Sequence, residues 1–527
     1  MISLPSSDIL LYFGFTLYVL SLMLFHFNGQ KKLSLFILFL GCLSLSVYMS
    51  GLDHFLHFWD EEFHALVARN MLDNPFKPML YTHPVLDYNY QEWQHNSIWL
   101  HKQPLFLWQM AISLKLFGFN EIAVRLPSAF MLALLVFPIY RMGKISVDER
   151  TGYYAAFLFS LGYFIHELAV GFIPTDHNDI AFILYVTCSF WAYLEYDKSR
   201  KMKWLLLIGL FAGCAVLVKW LMGLLIFGGW FMAIICQKEK RKILRNYLDF
   251  GLSLLVSIIV FLPWQIYILI KYPTESIYEY KYAAQHFTKV MEDKSGDFLF
   301  HLRELKTIYF HGDLMPYIML LALVLLFIRM KDKGLRITLF FSVIAVYVFY
   351  TIAQTKMTAF CMIVAPIFYI ALGSMIDQIF ILSTKKLLKN TIISSSVLVL
   401  IIGFIGYLHL DLNKIKKNHL DSPDNKDTYG YKVGLDMKFI KQLPDSLKRE
   451  DYVLFNCKKF EAPAIMFYTG ITAYQDVPLE PTYKDLKQKH IKMAFNDDGN
   501  LPTYIYNDNG VLLINLYHQL PFIRFQF

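Results

Sequence analysis

Charge is scarce in this chain. Asp, Glu, Lys and Arg together make up 17% of its 527 residues, whereas 56% are hydrophobic and 17% aromatic, with a mean hydropathy of +0.40. That balance excludes an ordinary soluble enzyme. Cysteine is scarcer still, with six residues, of which Cys42, Cys188, Cys214, Cys236 and Cys361 fall inside apolar stretches and leave Cys457 alone in the tail. A disulfide framework is therefore excluded, and packing roles for five with an ordinary thiol for the sixth are expected. No basic run precedes the first apolar stretch and no small-residue cleavage site follows it, so it reads as a retained helix and not as a signal peptide. An internal repeat is also missing, which speaks against a transporter built from two related halves.

Long hydrophobic runs are what the chain does have. Stretches close to the roughly 20 residues that cross a bilayer core recur at about 9–27, 33–52, 121–143, 152–170, 179–195, 204–220, 221–236, 248–270, 314–330, 336–354, 357–376 and 391–410. The expectation is about twelve transmembrane helices. Every second connection is basic: Lys31 and Lys32; Arg141, Lys144 and Arg150; Lys198 to Lys203; Lys238 to Arg245; Arg329 to Arg336; Lys385 to Lys389. Lys and Arg are retained on the cytoplasmic side, so the loops at about 53–120, 171–178, 219–221, 271–313 and 355–356 face outward, as does the tail. The net charge of +8 then reflects topology, and no nucleic-acid partner is implied. Residues 104–118, PLFLWQMAISLKLFG, would break this alternation if they crossed. They are read as an amphipathic helix in the outer interface, with Leu105, Trp108, Ile112 and Leu116 on its lipid side.

Composition changes at Asp411. A polar linker at 411–434 separates the membrane domain, 1–410, from a small α/β domain at 435–527 placed outside the membrane. Strands are expected at 451–457, 491–495, 503–507 and 510–517, and helices in LDMKFIKQL and PTYKDLKQK. No nucleophile or metal signature is visible in that domain.

The few lone charges in apolar surroundings collect at the predicted outer ends of the helices. A charge at bilayer depth costs roughly 2.5 to 3.5 kcal/mol on insertion scales, so such a set needs a reason. Asp60 and Glu61 open the helical pattern of FWDEEFHALVARNML, where they either favour the helix dipole or, partly desolvated, accept a proton from an acceptor hydroxyl. Lys102 in WLHKQPLFLW and Lys356 in IAQTKMTAF are snorkelling anchors or partners for a lipid-linked phosphate. Arg125 could fork onto a phosphate or onto Asp60 or Glu61. Lys219, alone in AVLVKWLMG, calls for a phosphate or carboxylate partner. In GFIPTDHNDIAF, Thr175 or Asp176 caps the next helix with Asp179 in its first turn, or Asp176 is a site residue. A divalent cation on Asp176, His177 and Asp179 is conceivable but three candidates in four residues are a weak signal, and no cofactor is assigned. His286 is a lesser candidate, as is His101.

The order WDEEFHALVARNML, HKQPLFLWQMAISLKLFGFNEIAVRLPSA, PTDHNDIAF, LVKWLMGLL, LPW and QTKMTAF resembles the membrane glycosyltransferases of the GT-C fold. The similarity is to the protein O-mannosyltransferase and lipid A aminoarabinose transferase types, and it covers roughly residues 33–376. It implies a polyprenyl-phosphate-linked sugar as donor, attack from the outer side and inversion at the anomeric carbon. By position it implies that Asp60 with Glu61 is the acidic pair of the first outer loop, Lys102 the lysine near the lipid phosphate, Asp176 a third acidic site and Lys356 a late lysine facing the donor phosphate. Four departures stand out. The loop between Asp60 and Lys102 is longer, Gln103 replaces a second proline, 9–27 is an added helix, and His101 stands where the aminoarabinose enzymes carry a glutamate. The expectation is thus a sugar transferase of the bacterial inner membrane, acting on lipid A, a glycan or a protein. A secondary transporter and an envelope scaffold are the competing classes.

Overall fold

Each of the twelve apolar stretches is helical in the computed structural model, in one piece or two. It describes residues 7–92, 95–173, 178–310, 312–386, 391–419, 436–441, 443, 447–448, 450–458 and 461–516. Among these, eight helical spans are long and apolar enough to cross a membrane. They lie at Asp8–His26, Lys31–Ser50, Glu121–Ser146, Met202–Ile235, Leu244–Lys271, Lys333–Ile352, Thr358–Ser383 and Ile392–Asn418. Two predicted stretches, 204–220 and 221–236, fall within one of these spans. There the chain passes through a short 3-10 segment, Trp220–Leu224, between Met202–Lys219 and Leu225–Ile235.

The chain divides into two compact units, one of Leu4–Met49 with Ser128–Leu412, the other of Ser50–Pro127 with Asn413–Phe527. The first holds most of the apolar helices. Small residues let their backbones meet, as expected where lipid supplies no hydrophobic drive between helices. A Cβ on Gly209 would sit 2.3 Å from Ser253 O and one on Gly213 2.6 Å from Val260 Cβ, so Met202–Lys219 lies directly against Leu244–Lys271 along this i, i+4 pair. We expect Gly209→Leu to abolish the monodisperse peak in detergent size-exclusion chromatography, since overpacking costs about 1–3 kcal/mol or more. Gly251→Ala, on the same partner helix but with nothing within 4 Å of the added Cβ, is the control that should leave the peak intact.

Both ends of this unit are laced by polar contacts. At one end Arg329 reaches Asp377 at 2.7 Å and Asp148 at 3.0 Å, and Arg150 reaches Asp377 at 2.6 Å, joining basic connections that the sequence places on one side. At the other, Gln354 N donates to Phe287 O at 3.1 Å, Thr355 N to His286 O at 3.1 Å and Lys356 N to Lys294 O at 2.9 Å.

The second unit builds a three-stranded parallel sheet, β1 (Val453–Phe455), β2 (Met493–Asn496) and β3 (Leu512–Ile514), in that order. Phe455 pairs with Phe495, and Phe495 with Leu513. The helix expected in PTYKDLKQK is Glu480–Gln488, and residues 436–440 of LDMKFIKQL are helical. The strand expected at 503–507 is not one. Thr503–Tyr506 is a helical turn begun by Pro502, with Ile505 buried beneath it, so a local start signal overrides the β-preference of Thr, Ile and Tyr. A further helix, Ala462–Thr469, packs against Asp60–Asn70. In Pro104–Phe117, Ile112 and Leu116 are exposed while Phe106, Leu107, Met110 and Leu114 are buried, giving the two-sided helix its sequence pattern asks for. All six cysteines are free.

Candidate functional site

Asp60 begins the helix Asp60–Asn70 immediately after Trp59, whose φ of 77° lies in the left-handed region. For a bulky residue that conformation is an outlier costing on the order of 1–3 kcal/mol, and it sharply turns the chain into the helix. Three carboxylates, Asp60, Glu61 and Glu62, then fill one turn, and all three residues are buried. The same sequence motif thus supplies three acids with three different environments.

Asp60 faces Lys102, with Nζ 3.6 Å from Oδ1 and side chains 19% and 11% exposed for Lys102 and Asp60. Of the three acids it has the partner with the most solvent access. Lys102 sits in the loop just ahead of Pro104–Phe117, and Pro104 at the helix start fixes where that loop ends. His101 beside it lies 5.7 Å from the Trp99 ring.

Glu61 is locked instead. Arg125 Nε donates to its Oε1 at 2.7 Å and Nη2 to its Oε2 at 3.0 Å. The remaining donors of the guanidinium go to Ser50 O at 3.0 Å, Asp53 O at 2.9 Å and Phe55 O at 2.6 Å. All five N–H donors are thereby used, and the side chain is fully buried. Arg125, expected as a phosphate ligand or as a carboxylate partner, takes the second part, because no donor remains for a phosphate. Burial alone would raise the Glu61 pKa, but Arg125 and His57 beside it hold the carboxyl well below the usual carboxylate range.

Glu62 was not singled out by the sequence. It is 2% exposed, and its Oε2 has no hydrogen-bond partner among the described residues. Burial, and then Glu461 and Glu61, push its pKa well above the ordinary value. A raised folded-state value means that the stability this group contributes is complete below its unfolded value of about 4.3 and is lost as pH rises through the folded one. Glu62→Gln is therefore expected to melt higher than wild type near pH 7 and to converge with it near about pH 4. Thermal unfolding in detergent at the two pH values checks this, and equal melting at neutral pH would count against it.

Glu121, Lys441 and Tyr468 form a further polar group missed in the sequence, centred on the buried Glu121. Tyr468 Oη donates to Glu121 Oε1 at 2.6 Å, Lys441 Nζ donates to the same oxygen, and Leu56 N donates to Tyr468 Oη at 3.0 Å. Arg69 Nη1 donates to Met466 O at 2.7 Å and to Phe467 O. Along the far half of the same helix lies a cavity of about 310 Å³ lined by Leu66, Arg69, Asp73, Phe119 and Met466 among others. Neither Asp60 nor Lys102 lines it.

In the other unit, Lys219 ends its helix and pairs with Asp179, which is 3% exposed. The carboxylate partner expected for Lys219 is thus Asp179, and Trp220 after it again takes a positive φ, 60°. Lys356 donates to Tyr350 O at 2.8 Å and Thr351 O at 2.5 Å, two carbonyls at the end of Lys333–Ile352. His286 Nδ1 lies 3.2 Å from Tyr282 O within its own helix. Asp176 and His177 lie outside the described residues.

The architecture matches solved structures. ArnT from Cupriavidus metallidurans bound to undecaprenyl phosphate superposes with a TM-score of 0.60 at 13% identity, covering 87% of this chain and 85% of that one. The archaeal oligosaccharyltransferase AglB from Archaeoglobus fulgidus, in complex with an inhibitory peptide and a dolichol-phosphate, gives 0.50 at 13% identity over 83% of this chain and 64% of that one. The chain is an integral membrane protein with the GT-C fold. Within that class, residues 101–267 match the family described as dolichyl-phosphate-mannose-protein mannosyltransferase. The chain is also 25% identical over 238 residues to the undecaprenyl phosphate-alpha-4-amino-4-deoxy-L-arabinose arabinosyl transferase of Photorhabdus laumondii, across 44% of this chain and 40% of that relative. The match thus spans less than half of the relative's length.

Proposed function

We propose that this protein transfers a sugar from a polyprenyl-phosphate-linked donor to a lipid, glycan or protein acceptor, with inversion at the anomeric carbon. The observation that carries the reading is the Asp60–Lys102 pair at 3.6 Å, set in a GT-C fold beside a Glu61–Arg125 pair that is already saturated. Asp60 accepts the proton of an acceptor hydroxyl as the new bond forms to the sugar carbon, or positions a phosphate acceptor that needs no base. Lys102 offsets the charge that grows on the departing lipid phosphate. Glu61 and Arg125 fix the first turn of the helix that presents Asp60. Assigning Lys356 to the donor phosphate and Asp176 to the acidic set rests on sequence order alone.

In this reading the chain crosses the bacterial inner membrane about twelve times, and the α/β domain after the linker lies on the outer side. Whether the sugar is a hexose or a pentose follows from the product. The test is mass spectrometry of envelope lipids, glycans and proteins from cells lacking the chain, complemented by wild type or by Asp60→Asn. A sugar-sized mass present only with wild type is the expected result and names the acceptor class. No change in any fraction, or full restoration by Asp60→Asn, would refute the reading and favour a transporter or scaffold.

A further inference from the structure

Asp53, His57 and His419 converge in the same unit as Asp60 and use none of the groups assigned to transfer. Their donor atoms all lie within 4.8 Å of one another and all three residues are buried. Asp53 Oδ2 is 2.7 Å from His57 Nε2 and 2.5 Å from His419 Nδ1. Behind His57, its other ring nitrogen, Nδ1, lies 3.1 Å from Glu61 Oε2. We propose that Asp53, His57 and His419 bind a divalent transition-metal ion, of the zinc class, that clasps the loop before Asp60 to the chain following Leu412–Asn418.

Two features favour a metal over a hydrogen-bonded cluster alone. Two imidazoles and one carboxylate form a donor set suited to zinc, which takes such ligands at about 2.0–2.2 Å in tetrahedral sites. Ligand atoms on such an ion stand roughly 3.3 Å apart, so Asp53 Oδ2 must draw back from each nitrogen by less than about 1 Å while the donor set, which lies within 4.8 Å, closes around the ion. Second, a ligating histidine ordinarily donates its other N–H to a carboxylate, and Glu61 stands at that place. A metal on Nε2 leaves His57 neutral, with Nδ1–H donating to Glu61. The ion is a positioning element: it holds His57, through it Glu61, and so the turn from which Asp60 projects. This inference is independent of which sugar or acceptor is used, and it stands even if the chain is not a transferase.

The test uses the full chain purified in detergent, stripped with chelator and then exposed to zinc. Bound zinc is measured by elemental analysis alongside the melting temperature. Wild type and Asp60→Asn should each retain about one zinc per chain and melt higher on its return. His419→Asn keeps an N–H donor for Asp53, so the fold is supported, yet is a poor ligand. It should lose at least about tenfold in zinc affinity and show no zinc-dependent rise in melting. His57→Ala should behave in the same way. Zinc-free wild type whose melting is indifferent to zinc, or His419→Asn that binds zinc as wild type does, overturns the proposal.

Discussion

Asp60→Asn is expected to lower sugar transfer to a hydroxyl acceptor by about 100- to 10,000-fold, the usual contribution of a positioned base, while leaving the protein monodisperse and its melting temperature close to wild type. The side chain makes its ion pair with a partly exposed lysine, so the change leaves no fully buried charge unpaired. Lys102→Ala is expected to cost about 100- to 1,000-fold, in line with removal of one electrostatic stabiliser of a leaving group. The two losses should diverge with acceptor chemistry. If the acceptor is itself a phosphate, Asp60→Asn costs far less than Lys102→Ala, because no proton has to be removed. Turnover measured with both variants on defined lipid-linked donors therefore reports the acceptor class as well as the site, and near-normal rates in both would sink the assignment.

Arg125→Ala should be the most damaging single change to the folding of the unit that holds Asp60. It removes a fully buried guanidinium that engages Glu61 in two hydrogen bonds and three backbone carbonyls besides. Breaking a buried pair from one side costs about 3–5 kcal/mol, because the remaining charge is stranded. Arg125→Lys is not a rescue, since an ammonium cannot reproduce the planar fork. We expect both variants to lose most folded protein in detergent by fluorescence-detected size exclusion, whereas the double change Arg125→Met with Glu61→Leu, which strands no charge, recovers part of it. Recovery of nothing would mean that the backbone carbonyls, and not Glu61, are what Arg125 serves.

The sequence was most legible where apolar length or a short motif carried the signal. Twelve hydrophobic stretches appear as helices, the two-sided pattern of 104–118 yields a helix with Ile112 and Leu116 exposed, and two successive motifs held Asp60 and the lysine that pairs with it. It was least legible where a group is assembled from distant residues. His419 meets Asp53 across 366 positions, and Tyr468 meets Glu121 across 347, so nothing local marks either. Glu62 is one more acid in the same helix turn, and what sets it apart from Asp60 is that Asp60 has Lys102 beside it whereas Glu62 Oε2 has no hydrogen-bond partner among the described residues. Arg125 shows the reverse: its motif could be read, yet the choice between phosphate and carboxylate depended on how many carbonyls surround it. In the tail, Pro502 decided the conformation of a segment whose side chains all favoured a strand.

The hydrogen bond from Arg69 to Met466 spans 397 residues, and this sets an order of events during biosynthesis. At about 5–20 residues per second, a ribosome needs on the order of 20–80 s to make the second partner after the first. Throughout that interval the helix carrying Asp60 lacks the segment that packs on it, and such long-range closure is intrinsically slow. The acidic turn thus matures late, after the apolar helices between have been threaded into the membrane, and a nascent chain halted before the tail has emerged presents this turn unfinished to its surroundings.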